Sequence, residues 1–180
     1  DLCVGKDSTY RFLEDVLTEV MSLFPSTYIH IGGDEAERKT WATCPDCKRE
    51  MQANGLKTTA ELQGHFTEKI EQFLNHHGRK LMGWDEIMEG KLAPNAAVMS
   101  WRGFKAGLEA AQKGHPVVMT PGAFCYLDHY QDAPMTQPRA QGGYVTLEKT
   151  YSYEPLPDSC KTPETEANIE GLQGNAWTEY

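Results

Sequence analysis

The run His30-Ile31-Gly32-Gly33-Asp34-Glu35 places two adjacent carboxylates directly after a short apolar stretch, Tyr28-Ile29-His30-Ile31. The pattern predicts a strand that turns sharply at the two glycines, which adopt backbone conformations that a Cβ would forbid. Neighbouring carboxylates repel, so one tends to hold its proton at neutral pH while the other stays ionised. A proton donor beside a fixed negative charge is what breaking a glycosidic bond requires. Asp-Glu alone would read as two solvated acids on a loop. The glycine hinge and the aromatic motifs downstream favour the chemical reading.

These groups need elements to hold them. Phe12, Leu13, Val16, Leu17, Val20, Met21 and Phe24 recur at the helical interval, with Asp7 and Ser8 as capping candidates and Pro25 as the stop. A second helix begins near Thr59 with Leu62, Phe66, Ile70, Phe73 and Leu74 on one face. Thr58 and Glu61 have capping-box spacing at its start, and Gly78 stands at its end. Short apolar strands follow at Lys80–Trp84, Ala97–Trp101, Pro116–Met119 and Ile169–Gly174, with a small-residue helix from Gly103 to Lys113 after the second of these. Helices alternating with apolar strands predict parallel βα units. From Thr120 to Asn168 the periodicity stops and six prolines intervene, so this stretch reads as a long functional loop. Acids and aromatics cluster at the strand exits: Asp34-Glu35, Trp84-Asp85-Glu86, Trp101-Arg102, then Tyr126 and Asp128, then Trp177 and Glu179. In (β/α) barrels the chemistry sits at the carboxyl ends of the strands. Doubly wound sheets share that habit, but no Gly-rich phosphate fingerprint is present.

At 180 residues one domain is the default expectation. A net charge of −9 argues against nucleic acid as a partner, and no apolar run is long enough to span a membrane. Five cysteines form an odd, scattered set. The pair Cys44-Pro45-Asp46-Cys47 is open to three readings: half a zinc site, a redox motif or a local disulfide. A structural zinc would need two further ligands, and no second Cys-x-x-Cys exists, so a structural loop feature with no metal is the expectation. No cofactor is expected, and the sequence is silent on oligomeric state.

His30-Ile-Gly-Gly-Asp34-Glu35, Gly83-Trp84-Asp85-Glu86, Ser100-Trp101-Arg102-Gly103, Tyr126-Leu127-Asp128 and Trp177-Thr178-Glu179, taken in that order, resemble glycoside hydrolase family 20, the β-N-acetylhexosaminidases. The resemblance implies a partial (β/α)₈ barrel, about its last five strands. Residues 1–180 would then be an incomplete catalytic domain with a long active-site loop at about 120–168. It implies a glycan or amino-sugar substrate and a retaining mechanism in which the sugar's own 2-acetamido oxygen attacks the anomeric carbon. Under that mechanism Glu35 is the general acid and then the base, Asp34 holds the acetamido N–H, and Tyr126 donates to the acetamido oxygen. Trp84, Trp101 and Trp177 would line the pocket, with Asp128 and Glu179 accepting from sugar hydroxyls. Export to the periplasm or beyond is an expectation from the resemblance alone.

Blander readings stand beside these. Each Trp could be plain core, and Asp128 and Glu179 could be solvated surface acids. His30 is either a support behind the pair or a satisfied core histidine. Trp41 either rims a cleft or packs the Cys-x-x-Cys segment. Two other functions fit less well. A non-catalytic carbohydrate-binding remnant has no need of a proton donor. A metal-dependent hydrolase built on Asp34, Glu35 and a histidine lacks the clustered imidazoles such sites use.

Overall fold

The computed structural model describes residues 2–178; Glu179 lies outside the described residues. The chain divides into two compact units, residues 1–97 and 98–180. Every strand pairing within them is parallel, and the chain is an α/β fold with five parallel strands.

The first unit runs α1 (Asp7–Leu23), β1 (Tyr28–His30), α2 (Lys39–Thr43), α3 (Pro45–Ala53), α4 (Thr59–His76), β2 (Lys80–Trp84) and a 3₁₀ turn, Asp85–Met88. Strand β1 pairs with β2 in the register Tyr28 to Lys80, Ile29 to Leu81 and His30 to Met82. Parallel pairing in this register brings the two strand exits to the same edge. Helix α4 starts with the expected capping box: Thr58 accepts from the Glu61 N–H while the Glu61 carboxylate accepts from the Thr58 N–H. Its buried face carries Leu62, Ile70 and Leu74, interleaved with Gln63, Thr67 and Glu71, which are equally buried. Glu71 is satisfied by the backbone N–H of Asn95 at 2.7 Å.

Helix α1 forms as expected but departs from expectation at its cap. Asp7 is its first helical residue and the position before it is Lys6, which makes no side-chain cap. The apolar stripe is largely turned outward: Phe12, Val16, Leu23 and Phe24 are exposed, and the buried residues are Thr9 and Met21. The last turn is held instead by Arg79, whose guanidinium donates to the carbonyls of Met21 and Ser26, a cation where helix carbonyls lack partners. Helices α2 and α3 fall where the sequence suggested only loop. Pro45 at the first position of α3 suits a site whose missing N–H is not needed.

The second unit contains β3 (Ala97–Ser100) from its second residue on, α5 (Phe104–Gln112), β4 (Val117–Met119), α6 (Gly122–Cys125), α7 (Leu147–Tyr151), α8 (Pro163–Asn168) and β5 (Ile169–Leu172). Strand β3 pairs with β4 and β4 with β5, the latter with a register shift at Val117/Val118. The stretch 120–168 is not a structureless loop. It folds as α6, α7, α8 and two 3₁₀ turns, Pro134–Thr136 and Asp158–Cys160. Prolines that looked like interruptions open several of these segments, as Pro163 opens α8 behind a Thr162/Thr165 capping box.

Gly64, mid-way along the buried face of α4, sets helix propensity against packing. Alanine would favour the helix by about 1 kcal/mol, yet its Cβ would lie 2.7 Å from the Lys91 carbonyl oxygen and 2.9 Å from the Lys91 nitrogen, both backbone atoms. Overpacking of this kind costs about 1–3 kcal/mol, so Gly64→Ala is expected to lower the thermal midpoint despite its better propensity. A raised midpoint in a calorimetric scan would show that the Lys91 segment yields freely.

Candidate functional site

Asp34 and Glu35 leave β1 on a turn that is built from unusual backbone. Gly32 and Gly33 have φ of 74° and 95°, and Glu35 itself sits at φ 48°. A non-glycine residue in this region carries about 1–2 kcal/mol of strain. Such strain persists only where the surroundings enforce it, and here they do so from several directions. The Trp84 N–H donates to the Gly32 carbonyl at 2.9 Å, and the Ile31 N–H donates to Met82 at 2.9 Å, so the β1–β2 ladder runs into the turn. The Gln63 side chain donates to the Gly33 carbonyl at 2.8 Å. Arg38 donates to Gln63 Oε1 at 2.9 Å and to Glu89 at 2.7 Å, closing a chain of hydrogen bonds around the segment that carries the two acids. Below the turn the buried Ile87 fills the space that a Cβ at Gly33 or Gly83 would need, with Cγ2 at 2.8 and 2.7 Å from those positions. Both acids are thereby turned to solvent.

His30 is a support for the turn rather than a core residue. Its Nδ1 accepts from the Gly32 N–H at 3.1 Å, and its ring meets Trp84 edge-on at 4.8 Å. An accepting Nδ1 requires the other nitrogen to carry the proton in the neutral ring. The ring keeps a solvent-facing edge, but the protein packed around the rest of it pushes the imidazole below its ordinary value; the Asp34 carboxylate pulls the other way. Asp85 and Glu86, which the sequence places at the next strand exit, are buried in the 3₁₀ turn and are not offered to solvent.

The second unit gathers aromatics around Tyr126. Its ring lies 6.2 Å from Trp101 at 24°, 6.2 Å from Trp177 at 60° and 5.7 Å from His129. Asn175 positions this group. Its N–H donates to Cys125, its carbonyl accepts from Leu127, and its side chain donates to Thr120 at 2.8 Å, all beside the Tyr126 bridge. Asp128 has both carboxylate oxygens buried without a hydrogen-bond partner among the described residues. It lines a cleft of about 240 Å³ with His129, Gln137, Arg139 and Trp177. Arg102 is exposed. Trp41 is 5% exposed, donates to the Leu2 carbonyl and packs with Val4, Cys47 and Leu62, so it is core and not a cleft rim.

Within the first unit the structure thus brings together Asp34, Glu35, His30 and Trp84. Within the second it brings together Tyr126, Trp101, Trp177 and Asp128. Sequence reasoning missed Gln63, Arg38, Glu89 and Asn175. Gln63 did leave a signal, a polar residue beside Leu62 on the apolar face of α4.

Acids and aromatics gathered at the exits of parallel strands are the arrangement of a (β/α) domain that carries its site at the carboxyl ends of the strands. The family model for glycosyl hydrolase family 20, catalytic domain, matches residues 1–180, and the chain belongs to that family as part of its TIM-barrel catalytic domain. It is 50% identical over 179 residues to a beta-hexosaminidase of Porphyromonas gingivalis, covering 99% of this chain and 23% of that protein. It is 39% identical to a beta-hexosaminidase of Vibrio furnissii, over 95% of this chain and 28% of the relative. Among solved structures, a family 20 exo-β-N-acetylglucosaminidase from Vibrio harveyi in complex with N-acetylglucosamine superimposes with a TM-score of 0.84 at 34% identity, over 98% of this chain and 28% of that one. The chain therefore spans about a quarter of the length of these relatives.

His30 yields a pH dependence. Its folded-state affinity for a proton is below the ordinary value of 6.5, so the unfolded chain binds more protons as pH falls through that value. Stability is therefore full above about pH 6.5 and declines as the pH drops toward the folded value. His30→Gln keeps an acceptor but cannot titrate, and is expected to flatten that part of the decline in unfolding midpoint against pH. An unchanged slope would show that His30 is not its source.

Proposed function

We propose that this chain supplies catalytic groups of a β-N-acetylhexosaminidase that releases terminal β-linked N-acetylglucosamine or N-acetylgalactosamine with retention of configuration. The observation that carries the reading is the turn at 32–35, which holds two neighbouring carboxylates toward solvent at a strand exit on backbone that is strained and multiply braced. Strain kept in place by a dedicated hydrogen-bond chain is characteristic of functional positions. Family membership and the Vibrio harveyi relative, solved with N-acetylglucosamine, supply the ligand class.

In this mechanism the oxygen of the substrate's 2-acetamido group attacks the anomeric carbon as the bond to the leaving oxygen breaks. Glu35 gives its proton to that oxygen, and an oxazolinium-type intermediate forms. Glu35, now a carboxylate, takes a proton from water, which attacks the same carbon and reopens the ring. Two displacements on one carbon restore the original configuration. Asp34 accepts from the acetamido N–H and stabilises the positive charge that grows there, and the Tyr126 hydroxyl donates to the acetamido oxygen. Both contacts strengthen as charge develops, so they act on the transition state more than on ground-state binding. Trp84, Trp101 and Trp177 offer apolar faces to the acetamido methyl and the sugar ring. Asp128, whose oxygens have no partner within the described residues, accepts from sugar hydroxyls. Glu179 has the same role by family resemblance.

The test uses the full-length protein. It should hydrolyse a chromogenic N-acetylglucosaminide and leave the corresponding glucoside intact, since only the first carries its own nucleophile. Equal rates on both would remove the acetamide from the mechanism. Glu35→Gln is expected to lower kcat by about 10²–10⁴, with ligand affinity retained; unchanged turnover would take Glu35 out of the acid role. Asp34→Asn should slow the cleavage step by about 10²–10³, and burst kinetics showing only the second step slowed would contradict its place beside the acetamide.

A further inference from the structure

The first unit contains a cluster that the proposed reaction does not use. Cys3, Cys44 and Cys47 converge so that all three sulfurs lie within 4.8 Å of one another. The Cys3 sulfur is 3.5 Å from that of Cys44 and 3.8 Å from that of Cys47, and all three are free thiols. From sequence, the Cys-x-x-Cys pair lacked further ligands; the fold supplies one, 41 residues upstream of Cys44.

We propose that these three cysteines bind one Zn²⁺ as thiolates, forming a structural clip. Tetrahedral zinc with Zn–S distances of about 2.3 Å spaces its sulfurs by roughly 3.8 Å, which the two measured separations approach. A bonded pair would need roughly 2.05 Å. Three sulfurs gathered within 4.8 Å suit a shared cation better than a disulfide, which would leave one thiol over. Thiolates with borderline-soft zinc are also the expected pairing of ligand and ion.

The surroundings are those of a built site. Cys44 caps the nine-residue helix α3 and Cys47 lies in its first turn, where backbone N–H groups are unpaired. The N–H groups at the start of α3 and of the Gly5 segment lie beside the Cys44 and Cys47 sulfurs, close enough to favour the thiolate form. Such donors orient metal-bound sulfur and offset its charge. Gly5 approaches so closely that a Cβ there would lie 2.5 Å from the Cys47 nitrogen, so the upstream segment is seated on the helix start. That segment is fastened by Thr9 to the Cys3 carbonyl at 2.7 Å, Tyr10 to Val4 at 2.8 Å and Trp41 to Leu2 at 2.9 Å. Val4, Trp41, Cys47 and Leu62 exclude water on the inner side. The described residues supply three corners of a tetrahedron, leaving the fourth to water or to a group outside them. Binding sends the three thiol protons to solvent. The clip ties the chain ahead of α1 to the α2–α3 junction, on the stretch that leaves the Asp34-Glu35 turn.

The experiment is metal analysis of the full-length protein purified without chelator or reductant, alongside peptide mapping after alkylation without reduction. The expected result is about one zinc per chain at this site, with the three cysteines alkylated only after chelation. Exchange with Co²⁺ should give the near-ultraviolet thiolate-to-cobalt charge-transfer band. Cys3→Ser should lower bound zinc at least tenfold and remove the chelator sensitivity of the thermal midpoint, whereas Cys160→Ser should change neither. A disulfide among Cys3, Cys44 and Cys47 in the unreduced map would overturn the proposal, as would three freely reactive thiols in metal-free protein. If Cys3→Ser does not fold, the metal content and the peptide map of the unaltered protein decide the question alone.

Discussion

The hydrogen bond from the Gln63 amide to the Gly33 carbonyl, 2.8 Å long, joins the buried face of α4 to the turn that carries the two acids. With the Trp84 and Ile31 bonds it helps to keep a glutamate in left-handed backbone, where strain of about 1–2 kcal/mol is comparable to the net gain from a single hydrogen bond. Arg38 extends the link to Glu89, so the chain on both sides of the β1 exit is tied to one network. Gln63 can do this because α4 is packed by Leu62, Ile70 and Leu74 on either side of it, which fixes where the amide stands. Hydrophobic burial sets the helix, the helix sets the amide, and the amide sets the turn.

The second unit reaches a comparable end by another route. There Asn175 replaces Gln63 as the polar hub, tying the exit of β4 to the segment bearing Tyr126 and to the chain leading to Trp177. Both hubs are buried amides, able to donate and accept at once. Each satisfies backbone groups at strand exits, where a sheet ladder ends and leaves donors and acceptors without strand partners.

Much of this could be read before any coordinates. The strands, the α4 capping box and the glycine hinge follow from short-range rules, because turn chemistry and period-3.6 patterning act over a few residues. The outward turn of the α1 stripe was not legible, because periodicity reveals a face without revealing what covers it. Helices α2, α3 and those between 120 and 168 were missed because each is short, and α3 and α8 begin with prolines, which open helices as readily as they end them. The site acids and aromatics were legible as residue types at strand ends. Their braces were not, since Gln63 and Arg38 meet across 25 residues of chain and neither carries a motif.

Asp128 presents a different kind of consequence. Both of its carboxylate oxygens are buried, and no donor among the described residues meets them. Under the proposed function, a sugar bearing a correctly aimed hydroxyl supplies the missing donor, while one lacking that group leaves the buried acceptor unpaired. Selection at such a point works through rejection: the deoxy analogue is disfavoured more severely than the hydroxylated one is rewarded.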